Sequence, residues 1–334
     1  ERFHQAVADG RLLASHNANG WPLREGFQRV LSLRNRGVRF MEARRIAAAE
    51  SGKRPAPVVD LVVCFCAERL VWLRAMHSMP WREPEDRVET MRSNVALRLY
   101  HKCPPTTPEG EQAERERLVR EWGDFFHTVE VRFVVDAVRA DDCSAYLAYV
   151  VDRYETLPDY AVFLHADAPE HIPSLELLTD TVFAASRGFL PEETGFAHLA
   201  HNHVLHGCDD PKGACNRGHG YEFQRMWKDV FGSSFAPSLS AGDVQSYCCV
   251  QFLVRRDRMR LRPLSFYQRA LRYFGDSAES YHALFPARGF VMLDDTLGRT
   301  PCQHAMYIWH AVFGEALRLP RRQNDPKIPL FMKL

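Results

Sequence analysis

The sequence lacks several features that would assign it to a common class of protein. None of its apolar runs approaches the ~18 consecutive residues of a membrane-spanning helix, so we expect no membrane segment within the chain. Its 43 basic and 42 acidic side chains leave a formal charge of +1, which provides no overall field to attract nucleic acid. There is no Gly-x-Ser-x-Gly elbow or phosphate-binding loop, which disfavours serine hydrolases and P-loop enzymes.

Cysteine, by contrast, is plentiful. The chain has nine cysteines, and their spacing matches no zinc ribbon. Two interpretations stay open: some of them form disulfides, with Cys208–Cys215 as a short loop, or they are buried free thiols. The first favours the lumen of the secretory pathway (the Golgi), with any signal or anchor outside this sequence. The second leaves a cytoplasmic location open.

Composition along the chain predicts one large domain with an extension at each end. Residues 1–54 carry 11 Lys and Arg against 5 Asp and Glu, with apolar residues near helical spacing, which predicts a basic helical stem or cap. Pro55 and Pro57 then break the pattern. Residues 55–317 are expected to form a single α/β domain, and residues 318–334 a basic tail.

The fold class follows from short apolar runs that alternate with helical patterns. The runs are residues 58–65, 95–100, 129–135, 160–164 and 248–254. Nearly continuous runs of this length are typical of strands that are buried on both faces of a parallel sheet. Strands that alternate with helices predict a Rossmann-like, mostly parallel sheet flanked by helices.

The sharpest candidate site is the polar end of the fourth run, His165-Ala166-Asp167. Ligands of open α/β sheets bind at the carboxyl ends of the strands. Asp167 is therefore the candidate ligand of a divalent cation that bridges a diphosphate, with His165 as a second ligand. Alternatively, Asp167 caps the turn before Pro169 and His165 simply packs.

Two further groups of residues are weaker candidates. The first could hold zinc, line an acceptor groove or lie on the surface; it comprises His198, His201, His203, His206, Cys208, Cys215 and His219. The second is the arginine-rich stretch of residues 255–262. Its guanidinium groups either bind a diphosphate or, at alternate residues of the stretch, face solvent.

Four segments of the chain, in this order, resemble an uncharacterised domain family of fungi and bacteria. They are residues 61–68 with Trp72 just after, residues 145–167, residues 251–254 followed by Arg255, and residues 309–314. Together they span roughly residues 58–315. The order of these four segments along the chain is also similar to that in the nucleotide-sugar glycosyltransferases of the A-type fold (GT-A).

This resemblance implies a GT-A-like domain that takes a nucleotide sugar as donor and a glycan or glycoprotein as acceptor. Residues Cys66, Ala67 and Glu68 would lie near the nucleotide, with Arg255 as a further donor-binding residue. Asp167 would occupy the metal position, with Mn²⁺ or Mg²⁺ as the cofactor. The usual motif has two aspartates flanking one residue, and here His165 stands at the first position.

Glycosyl transfer with inversion also needs a base that deprotonates the acceptor hydroxyl, and a carboxylate suits this role. Asp243 and Asp295 are the candidates, although either could be a turn residue or helix cap. Retaining chemistry would not need this base. Two other functions stay open: a non-catalytic relative that binds a glycan or a partner protein, and a zinc-dependent hydrolase built on the loop of residues 198–219.

Overall fold

The computed structural model of the chain describes residues 58–77, 91–134, 142–206, 244–274, 302, 305–329 and 332–333. Residues Pro55–Arg321 form one compact unit. The short 3-10 helix Arg322–Asn324 belongs to a second unit. The predicted stem, residues 1–54, lies outside the described residues. Within the described part, no helix is both long enough and apolar enough to cross a membrane.

The strands and helices of the compact unit follow one another along the chain as the alternating pattern predicts. The strands are β1 (Val59–Phe65), β2 (Val95–His101), β3 (Thr128–Phe133), β4 (Tyr160–His165), β5 (Phe196–His198), β6 (His203–His206), β7 (Val244–Tyr247) and β8 (Phe252–Arg255). The helices are α1 (Trp72–His77), α2 (Pro108–Trp122), α3 (Cys143–Arg153), α4 (Ala168–His171), α5 (Leu175–Ser186), α6 (Arg256–Met259), α7 (Leu264–Phe274) and α8 (Trp309–Val312).

Six strands form one mixed sheet in the order β3-β2-β1-β4-β8-β5. Strands β1 to β4 are parallel to one another, while β8 is antiparallel to both β4 and β5. Strands β6 and β7 form a separate antiparallel pair. The predicted α/β class with a mostly parallel sheet flanked by helices is therefore confirmed.

The strand predicted over residues 248–254 is shorter in the structure, where β8 begins at Phe252. Cys249 has a φ angle of 66°, in the left-handed region that an extended strand does not use. The backbone therefore turns at this residue instead of continuing as a strand, and the turn connects β7 to β8.

The order of the strands reverses at β1. The chain places β2 and β3 on one side of β1 and then returns to place β4 on the other side. The carboxyl ends of β1 and β4 lie side by side, with Cys64 paired to His165. In open α/β sheets, such a reversal opens the crevice in which ligands bind.

Helix α3 covers one face of the sheet and is buried over most of its length. Tyr146 packs against Phe163 of β4 and Phe252 of β8, with ring centroids 4.9 and 6.0 Å away. Trp309 of α8 lies against the same aromatic group, 5.8 Å from Phe252. This aromatic core fixes α3 over β4, so the N-terminus of α3 lies near the carboxyl end of that strand.

The other end of α3 is held by a buried ionic network centred on Asp60, which is only 1% exposed. The Oδ2 atom of Asp60 accepts a hydrogen bond of 2.9 Å from the Tyr149 hydroxyl. The same oxygen lies 3.1 Å from Arg98 Nε and 3.3 Å from Arg153 Nε. Both arginines also pair with Glu130. Strands β1, β2 and β3 are thereby tied to the last turn of α3.

Candidate functional site

Three side chains with metal-ligating atoms converge just beyond the carboxyl end of β4. His165 is the last residue of the strand, Asp167 follows two residues later and His171 ends α4. Asp167 Oδ1 lies 3.3 Å from His165 Nδ1, and Asp167 Oδ2 lies 3.2 Å from His171 Nε2. One candidate ligand atom from each residue lies within 4.8 Å of the other two. We call these three residues the β4 cluster.

The local sequence explains why the three side chains meet. Asp167 occupies the N-cap position of α4, and Pro169 follows in the first turn. The carboxylate makes no capping hydrogen bond, so it is left to interact with the histidines. His171 lies four residues after Asp167, a spacing that places both side chains on the same face of a helical turn. Trp72 Nε1 donates a hydrogen bond of 2.6 Å to the Ala166 carbonyl and holds the turn from α1.

A second carboxylate reaches His165 from the N-terminus of α3. Asp142 Oδ2 lies 2.6 Å from His165 Nε2, so each ring nitrogen faces one carboxylate. Asp142 is the N-cap residue of α3, and like Asp167 it makes no capping hydrogen bond with its side chain. The adjacent Cys143 forms a disulfide with Cys302.

The charges of these carboxylates shift the pKa values of their partners. Burial alone would lower the pKa of His165, but Asp142 and then Asp167 more than offset it and raise the pKa to about 10. The hydrogen bond from His165 lowers the pKa of Asp167 to about 2, against an opposing effect of burial. The charge of His171 adds to this lowering. Both shifts show that a positive charge on His165 is favoured between the carboxylates of Asp142 and Asp167.

The residues of the β4 cluster fit a divalent metal ion. Two imidazole nitrogens and one carboxylate form a donor set that suits first-row transition metals. Asp167 is 44% exposed, so water or a ligand can reach its carboxylate. Among the described residues, this is the group of at least three His, Cys, Asp or Glu side chains that lies close enough to share an ion.

The residues predicted to lie near a nucleotide follow β1 at the same edge of the sheet. Cys66 forms a disulfide with Cys103, which links the ends of β1 and β2. Glu68 accepts a hydrogen bond of 2.6 Å from the backbone N–H of Cys66, while Ala67 and Glu68 are exposed. Because the ends of β1 and β4 are adjacent, the structure brings these residues to the same edge as the β4 cluster.

Arg255 lies at the opposite end of the sheet. It pairs with Tyr160, the first residue of β4, because β8 runs antiparallel to β4. Its guanidinium group contacts Asp257 at 2.6 Å and the Glu192 carbonyl, and the hydrogen bond with Asp257 raises its pKa. His165 is five residues further along β4, or roughly 16 Å away. The structure therefore separates Arg255 from the β4 cluster.

Other arginines of residues 255–262 hold local structure together. Arg256 donates hydrogen bonds to the carbonyls of Leu157 and Pro158. Arg262 donates to those of Ala311 and Val312. Because residues Arg256–Met259 form the helical turn α6, the stretch is not an extended segment whose alternate side chains face solvent.

The described histidines of the candidate zinc loop have separate partners. His198 is buried and faces Tyr247, with ring centroids 5.6 Å apart. His201 Nδ1 contacts the backbone carbonyl of His171 at 2.7 Å, and His203 Nε2 contacts the Leu319 carbonyl at 3.0 Å. Among the described histidines of this group, His201 approaches the β4 cluster.

Several predicted residues lie outside the described part of the chain. They are Asp243, Asp295, Cys208, Cys215 and His219, together with the side chain of His206. Their predicted roles, including the Cys208–Cys215 disulfide, stay predictions. The general expectation of disulfides is confirmed by Cys66–Cys103 and Cys143–Cys302, whereas Cys64 is buried and takes no part in a disulfide.

The sequence pattern alone does not identify two residues of the site, Asp142 and His171. The spacing of Asp167 and His171 indicates that their side chains lie close together, since residues four apart share one face of a helix. Asp142 lies 23 residues before His165, and only the packing of α3 against β4 brings the two together. An acidic residue in the crossover before β4 was too common a feature to identify it.

Comparison with known families finds a match for the region of the chain that contains the β4 cluster. A family described as a protein of unknown function (DUF3431) matches residues 109–325. The chain belongs to this family. The matched region contains α3, the β4 cluster and β8, and a search of curated proteins finds no match. The DUF3431 description states no activity, so the resemblance to glycosyltransferases stays a prediction.

Proposed function

We propose that this DUF3431 member is a glycosyltransferase that moves a sugar from a nucleotide-sugar donor to a hydroxyl group of a glycan or glycoprotein. The observation that carries this proposal is the position of the β4 cluster, at the carboxyl end of β4 and beside the reversal of strand order. This is the crevice in which open α/β sheets bind their ligands. The disulfides support an oxidising compartment, and we place the protein in the secretory lumen, such as the Golgi.

Each group of residues has a role in this proposal. Asp167, His165 and His171 would hold a divalent cation, which when bound would neutralise the negative charge of a diphosphate leaving group. The exposed turn of Cys66, Ala67 and Glu68 would contact the nucleotide through its backbone and side chains. If the reaction inverts the sugar, Asp243 or Asp295 would take the proton of the acceptor hydroxyl.

The donor atoms also bear on the identity of the cation. Of the two ions that the sequence suggests, Mg²⁺ prefers oxygen ligands and keeps several waters. Imidazole nitrogen suits first-row transition metals better. We therefore expect Mn²⁺ to bind the β4 cluster more tightly than Mg²⁺ does.

The test is a thermal-shift screen of uridine and guanosine nucleotide sugars, with Mn²⁺, with Mg²⁺ and without metal. A ligand that binds only the folded state raises the melting temperature by mass action. We expect a Mn²⁺-dependent shift with one donor that is lost in Asp167→Ala. The matched control is Asp152→Ala, because Asp152 is an exposed residue of α3 that pairs with Arg132 away from the cluster.

The outcomes separate the proposed function from its alternatives. A donor that binds but is never turned over would indicate a non-catalytic relative. If no donor shifts the melting temperature at millimolar concentration, the glycosyltransferase proposal fails. Stoichiometric zinc that survives Asp167→Ala would then favour a hydrolase built on the loop of residues 198–219.

A further inference from the structure

The two ring nitrogens of His165 have different surroundings. Nδ1 faces Asp167 in the β4 cluster at 3.3 Å, whereas Nε2 faces Asp142 at 2.6 Å from the N-terminus of α3. A histidine that binds a metal through one nitrogen commonly presents its other nitrogen to a carboxylate, which fixes the orientation of the ring. The arrangement around His165 has this form.

The carboxylate of Asp142 contacts His165 and does not cap its own helix. Aspartate at an N-cap position usually accepts a hydrogen bond from a backbone N–H of the first turn. Asp142 occupies this position in the eleven-residue helix α3 but makes no such bond. Its carboxylate instead contacts His165 Nε2 at 2.6 Å.

The N-terminus of α3 is also fixed in place. Cys143, the residue after Asp142, is bonded to Cys302, and its backbone N–H donates to the Cys302 sulfur at 3.1 Å. The residues from Cys143 to Val150 are buried. Asp142 therefore projects from a rigid point, and a rigid carboxylate can hold the imidazole ring in one orientation.

We propose that Asp142 is a positioning residue that holds His165 through Nε2, so that Nδ1 is presented to a metal ion bound with Asp167 and His171, and that the Cys143–Cys302 disulfide anchors Asp142 for this purpose. The inference rests on the metal site of the proposed function. Asp142 does not touch the ion itself. Loss of such an outer carboxylate typically weakens metal binding 10–100-fold, whereas loss of a ligand is more severe.

The experiment measures Mn²⁺ affinity of the full chain by electron paramagnetic resonance, in which free Mn²⁺ gives a strong signal that fades on binding. We expect Asp142→Asn, which keeps the shape of the side chain but removes its charge, to weaken binding about 10–100-fold. Asp167→Asn should abolish measurable binding. Asp152→Asn, at the opposite end of the same helix, is the control and should leave the affinity unchanged.

A second variant tests the anchor. The double substitution Cys143→Ser and Cys302→Ser keeps Asp142 but removes its covalent support, so it should weaken Mn²⁺ binding measurably, although by no more than Asp142→Asn does. The melting temperature of each metal-free variant shows whether it has folded. If Asp142→Asn does not fold, the Mn²⁺ affinity of the double serine variant tests the role of Asp142. An affinity equal to that of the wild type would then overturn the inference.

The remaining outcomes are distinct from one another. Wild-type binding in Asp142→Asn, together with loss of binding in Asp167→Asn, would overturn the role of Asp142 and leave the proposed function standing. If the wild-type chain binds no Mn²⁺ and no nucleotide sugar shifts its melting temperature, the proposed function fails, and this inference fails with it.

Discussion

The carboxylates near the two ends of helix α3 contact different kinds of partner. At the C-terminal end, Asp60 is surrounded by Arg98, Arg153 and the hydroxyl of Tyr149. At the N-terminal end, Asp142 and Asp167 are paired with histidines. Arginine has no lone pair to offer a metal, whereas an imidazole offers one once metal binding has displaced its proton. The first end is therefore a closed structural network, and the second has the donors of a cation site.

The two ends also differ in exposure. Asp60 is almost completely buried, and burial alone would lower the pKa of Arg98, but Asp60 and Glu130 raise it. The carboxylate of Asp167 is nearly half exposed. Charges at the C-terminal end of α3 are compensated inside the protein, while those at the N-terminal end can be reached from solution. This comparison predicts that substitutions at the two ends will affect different properties.

The largest effect on stability is expected from Asp60→Ala. This substitution leaves the buried Arg98 and the partly buried Arg153 without their shared carboxylate. Breaking a buried ion pair in this way costs about 3–5 kcal/mol of unfolding free energy. Chemical denaturation measures the change. The affinity for Mn²⁺ of the folded fraction should stay at its wild-type value, and a stability loss below about 1 kcal/mol would contradict the structural role of the network.

A pH-dependent effect is expected from His165. Because its folded-state pKa is raised to about 10, its contribution to stability is fully present below the unfolded pKa of 6.5 and is lost as the pH rises through 10. In a metal-free buffer, the stability difference between wild type and His165→Gln should shrink across this window by up to ~1.4 kcal/mol per pH unit. A difference that is flat from pH 6.5 to 10 would show that His165 is not held protonated.

A smaller change in stability is expected from Asp167→Asn. Since Asp167 is exposed and its ion pairs are screened by solvent, the metal-free protein should lose no more than about 1 kcal/mol of unfolding free energy. Its affinity for Mn²⁺ should nevertheless fall below detection. Equal losses of stability and metal binding would instead indicate that Asp167 is a structural residue, and denaturation and titration of the same preparation distinguish the two cases.

The smallest effect is expected from Asp152→Asn on the outer surface of α3. Asp152 pairs with the exposed Arg132 at 2.8 Å, and such surface pairs contribute about 0–1 kcal/mol. Both stability and Mn²⁺ affinity should remain close to those of the wild type. A large loss of Mn²⁺ affinity in this variant would show that the binding assay responds to general changes in α3 and not to the site.

The sequence predicts the parts of this molecule that depend on local pattern. The apolar runs that form β1 and β4 are long enough and apolar enough to indicate buried strands, and they lead directly to the polar residues that follow them. The amino-acid pattern alone therefore places His165 and Asp167 at the edge of the sheet. Their direct contact is a consequence of being two residues apart at the end of one strand.

Features that depend on the direction or packing of distant segments could not be predicted in the same way. Arg255 follows an apolar run, as Asp167 nearly does. Because β8 is antiparallel to β4, however, Arg255 lies at the other end of the sheet. Asp142 reaches His165 only because the aromatic core holds α3 over β4. Neither relation is encoded in the spacing of residues within a segment.

The most direct test of the central claim is a measurement of nucleoside diphosphate release from a nucleotide sugar, with Mn²⁺ and a mixture of glycan acceptors. The proposed function predicts that the wild-type chain and Asp152→Asn release the diphosphate in a Mn²⁺-dependent manner. Asp167→Asn should release it at the background rate. Equal release by Asp167→Asn and the wild type, or no release by a wild-type chain that binds Mn²⁺ and donor, would contradict the assignment of this site as a glycosyltransferase centre.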